Sequence, residues 1–255
     1  MDQQLLSLFA IGLLAGGFGA LLGVGGGLII VPALSLLAGL PLRGAIGTSL
    51  ICICGSSAAA SAVYLRRGRV DLPIAVELQF FSVAGAVIAG LTAGFIPTAP
   101  LFFLFALLLS AVALQMWPSA SPGILTRWLS RQSARHSVAR GASVGAGLIS
   151  GLLGVGGGIL NTPVLHLVLG KPFEQATATS SYMIGMTAAA GALVYLVRGD
   201  VVPGLVTAAM VGTLAGALPA ALAGHRLNAK GLRIAFALLL LFVAYQMVRR
   251  GLLEI

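Results

Sequence analysis

Residues 23–32 read GVGGGLIIVP and residues 154–163 read GVGGGILNTP. Each places three consecutive glycines inside an apolar run and follows them, five residues on, with a proline. A shift of 131 residues superposes the two motifs, and the register continues without a gap beyond them. Gly39 and Pro41 meet Gly170 and Pro172, Thr48-Ser49 meets Thr179-Ser180, and Tyr64, Arg67 and Gly68 meet Tyr195, Arg198 and Gly199. Far downstream, FALLL at 105–109 meets FALLL at 236–240. Apolar composition yields chance Leu and Ala matches, not this series of Gly, Pro, Thr-Ser and Tyr-Arg. The chain reads as two homologous transmembrane repeats, 1–117 and 138–255, joined by a basic linker at 118–137 that carries Arg127, Arg131 and Arg135.

The composition points to a membrane. Hydrophobic residues make up 58% of the chain, charged residues only 8%, and mean hydropathy is +1.05. Soluble domains carry about a quarter charged residues, so this chain cannot cover itself with a water-compatible surface. Long apolar runs rather than ten-residue alternation argue for helices and against a β-barrel. The net charge of +9 sits in connections between apolar runs, where it anchors topology and meets anionic lipid heads rather than nucleic acid. Cys52 and Cys54, two apart on a helix, point in different directions and read as packing residues. The first 22 residues lack a basic stretch and belong to the repeat, so they read as part of the fold rather than a signal peptide.

Each repeat shows five apolar pieces, about 4–22, 28–40, 45–65, 73–96 and 100–117, then 141–153, 159–170, 176–197, 203–223 and 231–248. The last three of each set have the length of a membrane-crossing helix. The first two of the second repeat are short: at 1.5 Å per residue each reaches roughly 18–20 Å, less than a hydrocarbon core of about 30 Å. The expected fold is all-α and polytopic, each half holding a glycine-broken re-entrant or half-helix pair and about three full crossings. A re-entrant hairpin makes the halves inverted; a single broken crossing makes them parallel. Basic residues divide equally well either way, and the short arms favour inversion.

Glycine inside a helix costs about 1 kcal/mol relative to alanine, and unpaired backbone groups in lipid cost several kcal/mol each. Clustered glycines at membrane depth therefore either pack two backbones closely or open a helix end whose N–H groups attract an anion. Their recurrence in corresponding places of both halves favours a midplane site. The candidate binding residues are Gly25, Gly26, Gly27, Gly156, Gly157 and Gly158, with Thr48, Ser49, Thr179 and Ser180 as hydroxyls that either cap the next helix or bind the anion. Asn161 and Thr162, facing Ile30 and Val31 in the repeat, make the second half-site the more polar. Glu77 and His166 are ionisable groups in apolar runs: each is either an interfacial side chain or a proton-coupling group. Lys171, opposite Leu40 in the repeat, would draw anions on one side only.

No catalytic triad, zinc spacing or paired carboxylate is present, and the three histidines are scattered at 136, 166 and 225; the sequence calls for no enzyme chemistry, no metal and no cofactor. The runs GGFGALLGVGGGLIIVPAL at 16–34 and GLISGLLGVGGGILNTPVL at 147–165, each followed by Thr-Ser on the next helix, resemble the TauE/SafE sulfite exporter family (TSUP, DUF81) over essentially the whole chain. That resemblance implies a secondary transporter of the cytoplasmic (inner) membrane for sulfite, sulfonates, thiosulfate or similar sulfur anions. The expected function is alternating-access transport of such an anion. Its expected partners are the anionic substrate and membrane lipids, with H+ as a candidate coupling ion and an oligomer compatible with the sequence. A passive anion channel built from the same hairpins is the alternative.

Overall fold

The structure, a computed structural model, describes residues 2–115, 132–201, 203–223 and 229–254. Among them the regular structure is entirely helical. The first repeat forms α1 (Asp2–Leu22), α2 (Gly27–Leu36), α3 (Leu42–Arg66), α4 (Leu72–Thr92) and α5 (Thr98–Gln115). The second forms α6 (Gln132–Leu153), α7 (Gly158–Pro163, continued as a π turn over Val164–Val168), α8 (Phe173–Val197), α9 (Pro203–Ala223) and α10 (Ala229–Leu253). Proline removes a ladder donor and its ring crowds the preceding turn, and at Pro163 the chain answers by widening into the π turn. Five helices, α3, α4, α8, α9 and α10, contain stretches long and apolar enough to cross a membrane; α5 falls just short. Cys52 and Cys54 are free thiols.

Two expectations need correction. The opening arm of the second repeat is 22 residues long, not 13, because QSARHSVAR continues the helix beyond its apolar part. Polar residues hid those turns from a hydropathy reading, yet none of them breaks a helix. Residues 132–137, assigned to the linker on composition, are thus the start of α6, and residues 118–131 of the linker lie outside the described residues. Among the described residues the half-length elements are α2 and α7, with 10 residues in α2.

The repeats exchange partners. Helix α1 packs along α9, and α4 packs along α6, its counterpart pair under the 131-residue shift. Both seams are lined with glycine: Gly12 lies on Ala209 and Gly16 on Thr213, while Gly147 lies on Ser82 and Gly151 on Ala86. Both pairs run parallel, and in each the backbones touch with no side chain between them, as small residues permit in membranes. Helices α3 and α8 form the centre and run antiparallel: Gly47 faces Tyr195, Leu50 faces Gly191, and Ser57 faces Gly185. Helices α5 and α10 are antiparallel too, since Thr98 bonds Glu254 and Gly251 lies on Phe102.

Polar contacts gather at two opposite ends. At one, Arg43 donates to the Ile96 carbonyl at 2.8 Å, Arg250 to the Ser35 carbonyl at 2.6 Å and Arg198 to the Gly90 carbonyl at 2.9 Å. At the other, Lys171 pairs with Asp71 at 2.6 Å, Arg69 with Glu174 at 3.6 Å and Arg140 with Glu77 at 2.8 Å. The matched Arg67 and Arg198 do the same work in both repeats, donating to carbonyls near the ends of α9 (Leu222, 3.1 Å) and α4 (Gly90). Those are the carbonyls a helix terminus leaves unpaired.

Candidate functional site

The two glycine loops meet halfway through the fold. Gly25 and Gly156 both face Ile53 of α3 and Ile184 of α8, one pair under the repeat and each midway along its helix. Gly26 and Gly157 cap α2 and α7 in the left-handed region, with φ of 77° and 75°, a conformation that glycine adopts without strain. Next to them, a Cβ at Gly27 would fall on the Gly154 carbonyl oxygen, and a Cβ at Gly158 on that of Gly23. The loops therefore cross backbone to backbone, which explains why the glycines are consecutive. Close packing and an open helix end are both realised here.

The open end is visible in the hydrogen bonds. No side chain caps α2 or α7. The backbone bonds of each start at the third residue: Ile29 and Ile30 donate to Gly26, and Leu160 and Asn161 to Gly157. The N–H groups of Gly27 and Leu28 thus donate to no acceptor among the described residues, and the same holds for Gly158 and Ile159. Unpaired donors at a helix start carry its positive dipole end and favour an anion.

Thr48-Ser49 and Thr179-Ser180 do not cap their helices. The N-caps are Pro41 and Pro172, and the hydroxyls lie in the second turn of α3 and α8. Ser49 donates to the Gly154 carbonyl at 2.8 Å and Ser180 to the Gly23 carbonyl at 3.1 Å. Each repeat's serine thereby holds the other repeat's glycine loop, and its only proton is used in doing so. Thr162 adds a second donor to Gly23 at 3.3 Å, which the first repeat, with Val31, cannot match. Thr179 accepts the Asp71 N–H at 3.0 Å, tying the α3–α4 connection to α8. Thr48 is buried with no partner for its hydroxyl, and Asn161, 1% exposed, has none for either amide atom among the described residues. Such groups in native proteins are few and call for an explanation.

Glu77 and His166 stand apart from the glycine loops. Glu77 lies at the Arg69 end, 28% exposed, between His136 at 3.2 Å and Arg140 at 2.8 Å. His166 bonds no residue of the glycine loops; its Nδ1 bonds the Lys171 carbonyl at 2.8 Å and its ring meets the Phe173 ring edge-on. Lys171 is charge-matched by Asp71. We expect Glu77→Gln to leave the pH dependence of anion flux unchanged and to cost less than about 1 kcal/mol of thermal stability, as exposed ion pairs do; flux assays across pH check it.

Two features escaped the sequence reading. Ile53 and Ile184 fill the crossing point, and matched Tyr64 and Tyr195 donate to Ala20 and Gly151 carbonyls at 3.0 and 2.8 Å, just before each glycine motif. The Tyr match in the repeat was the available signal for the second pair.

A helical fold with five helices long and apolar enough to cross a membrane among the described residues, and with paired helix breaks halfway through the fold, has the design of a membrane transporter. The chain belongs to the sulfite exporter TauE/SafE family, whose profile matches residues 8–247. It is 26% identical to the probable membrane transporter protein YunE of Bacillus subtilis, over 96% of this chain and 97% of that one. It is 27% identical to YdhB of the same organism, also named a probable membrane transporter protein, over 84% and 86%. A probable membrane transporter protein of Methanocaldococcus jannaschii is 28% identical over 74% of this chain and 71% of its own length. No solved structure matches. The protein is a multi-pass membrane transporter.

Proposed function

We propose that the protein is a secondary active transporter that moves a small sulfur-containing anion, such as sulfite, a sulfonate or thiosulfate, across the cytoplasmic membrane by alternating access. The observation that carries this reading is the pair of uncapped N–H groups at the start of α2, placed midway through the fold against the opposite glycine loop. Charge on the substrate is matched there by dipoles rather than by a buried cation, so the anion can leave again. The family's name supports the sulfur anion.

The mechanism follows from inverted halves. Antiparallel α3 and α8, and antiparallel α5 and α10, are what a two-fold axis lying in the membrane plane produces. Hairpin α1–α2 then opens toward the Arg43 end and hairpin α6–α7 toward the Arg69 end, leaving α3, α4 and α5 and their counterparts as six crossings. The Arg69 end, with Arg66, Arg67, Arg69, Arg135 and Arg140, faces the cytoplasm by the positive-inside tendency. Rocking one half against the other exposes the crossing point to each side in turn. A channel remains the second reading because the same hairpins can line a pore. Proteoliposomes loaded with unlabelled sulfite decide between them: saturable counterflow of labelled sulfite is expected, whereas unitary currents without counterflow would make the protein a channel.

A further inference from the structure

At the Arg69 end the connection between α3 and α4 is strapped onto the connection between α7 and α8. Asp71 pairs with Lys171 at 2.6 Å, its N–H donates to the Thr179 hydroxyl at 3.0 Å, and Arg69 pairs with Glu174 at 3.6 Å. The two ion pairs differ in weight. The Glu174 side chain is 65% exposed, so water and salt screen its attraction to Arg69. Asp71 and Lys171 are only 15% and 29% exposed, and the backbone fixes both. The Asp71 carboxylate also accepts the Ile74 N–H at the start of α4. The Lys171 N–H donates to the Leu165 carbonyl at 3.0 Å, and the Lys171 carbonyl bonds the His166 ring. Groups already held in place give up less entropy when they pair.

The repeat gives an internal control. Under the 131-residue shift, Lys171 and Asp71 correspond to Leu40 and Val202, and Glu174 and Arg69 to Arg43 and Asp200. The matching connections also touch at the Arg43 end, where Gly44 lies on the Asp200 carbonyl. Yet Arg43 donates to the Ile96 carbonyl there, and Asp200 pairs with Arg198 of its own repeat at 3.2 Å. One end is thus tied across the repeats by charge, and the other is not. The tie sits close to the crossing point. On α8, Thr179 is followed by Ser180, which holds Gly23, and by Ser181, which lines a hollow with room for about one water. An anion reaches that depth only when an end opens.

We propose that the Asp71–Lys171 pair is the latch of the Arg69 end, and that its opening turns Lys171 into the residue that draws the anion in. The inference rests on the transport reading above and deepens it. Because the two side chains belong to different repeats, rocking that opens this end pulls them apart. The ammonium group then stands at the entrance without its carboxylate, and an incoming anion takes that carboxylate's place. Asp71 stands in for the substrate while the end is shut. An anion that binds the freed lysine favours the open state by its difference in affinity for the two states.

The test reads thiol labelling and counterflow side by side. Ser181 precedes Ile184 on α8 and so lies on the Arg69 side of the crossing point. Ser181→Cys, with Cys52 and Cys54 replaced by alanine, reports opening of that end by its rate of reaction with a water-soluble maleimide in nanodiscs. Asp71→Asn, which keeps a side chain able to cap α4, and Lys171→Met are each expected to speed labelling about tenfold, between the effects of an exposed and a buried pair. The exchange Asp71→Lys/Lys171→Asp is expected to restore the slow rate, and Glu174→Gln to change it less than about twofold. In proteoliposomes, Lys171→Met is expected to raise the sulfite concentration for half-maximal counterflow several-fold, and Asp71→Asn, which keeps the lysine, is not. Unchanged labelling in both single variants would overturn the latch, as would equal speeding by Glu174→Gln. Equal half-saturation in the two would overturn the lysine's part in drawing the anion. Faster labelling without any counterflow would keep the latch and remove the carrier. Counterflow with labelling that ignores both residues would keep the carrier and remove the latch.

Discussion

Gly27→Ala and Gly158→Ala are each expected to cost about 3 kcal/mol or more of folding stability, at or beyond the top of the range for overpacked cores, and to leave little folded protein in detergent. The added methyl meets a carbonyl oxygen of the opposite loop, Gly154 in one case and Gly23 in the other. No rotamer relieves that collision, because alanine has none and the obstacle is backbone. The loops must separate, and with them the Ser49 and Ser180 hydrogen bonds that span the halves. Gly141→Ala and Gly145→Ala supply the contrast: both lie within α6 with nothing near a new Cβ, so they should gain up to about 1 kcal/mol from helix propensity. Thermal unfolding in detergent compares the four. If Gly27→Ala and Gly158→Ala unfold at the parent temperature, the loops do not touch.

Removal of the cross-repeat serines should come next in size, and unequally. Ser49→Ala leaves the buried Gly154 carbonyl without its hydroxyl donor, at a cost of about 1–3 kcal/mol. Ser180→Ala should cost less, because Thr162 still donates to Gly23. The double variant Thr162→Val/Ser180→Ala strips Gly23 of both hydroxyls and should fall to the Ser49→Ala level or below it. Unfolding temperatures in the order parent, Ser180→Ala, Ser49→Ala are the expected result. The reverse order would mean that Thr162 is no substitute and that the half-sites differ for another reason.

The helical fold, the membrane setting and the half-length second arms were legible in the sequence because each has a local cause. Glycines recur at fixed spacing where backbones touch, and hydropathy marks the helices that face lipid. What was not legible depends on partners far along the chain. Ser49 and Gly154 are 105 residues apart, and no local pattern announces that a serine in a second turn will hold a loop in the other repeat. The Thr-Ser pairs looked like caps because they follow a turn, but proline already occupies the N-cap and sets the helix start earlier. Residues 132–140 were misread for the opposite reason: their charges are local and evident, yet they are compatible with a helix end at the membrane surface.

The exchanged seams constrain how such a chain can be made. Helix α1 leaves the ribosome with a glycine stripe at Gly12, Gly16 and Gly17 and no surface to set it against until α9, starting at Pro203, has been synthesised. Helix α4 finds α6 much sooner. Biogenesis should therefore begin in the middle of the chain, with α4 and α6 docking while the glycine stripe of α1 stays uncovered, and the last seam should close only once α9 has been made. A nascent chain halted before residue 203 would hold one finished seam and one glycine stripe with nothing packed against it.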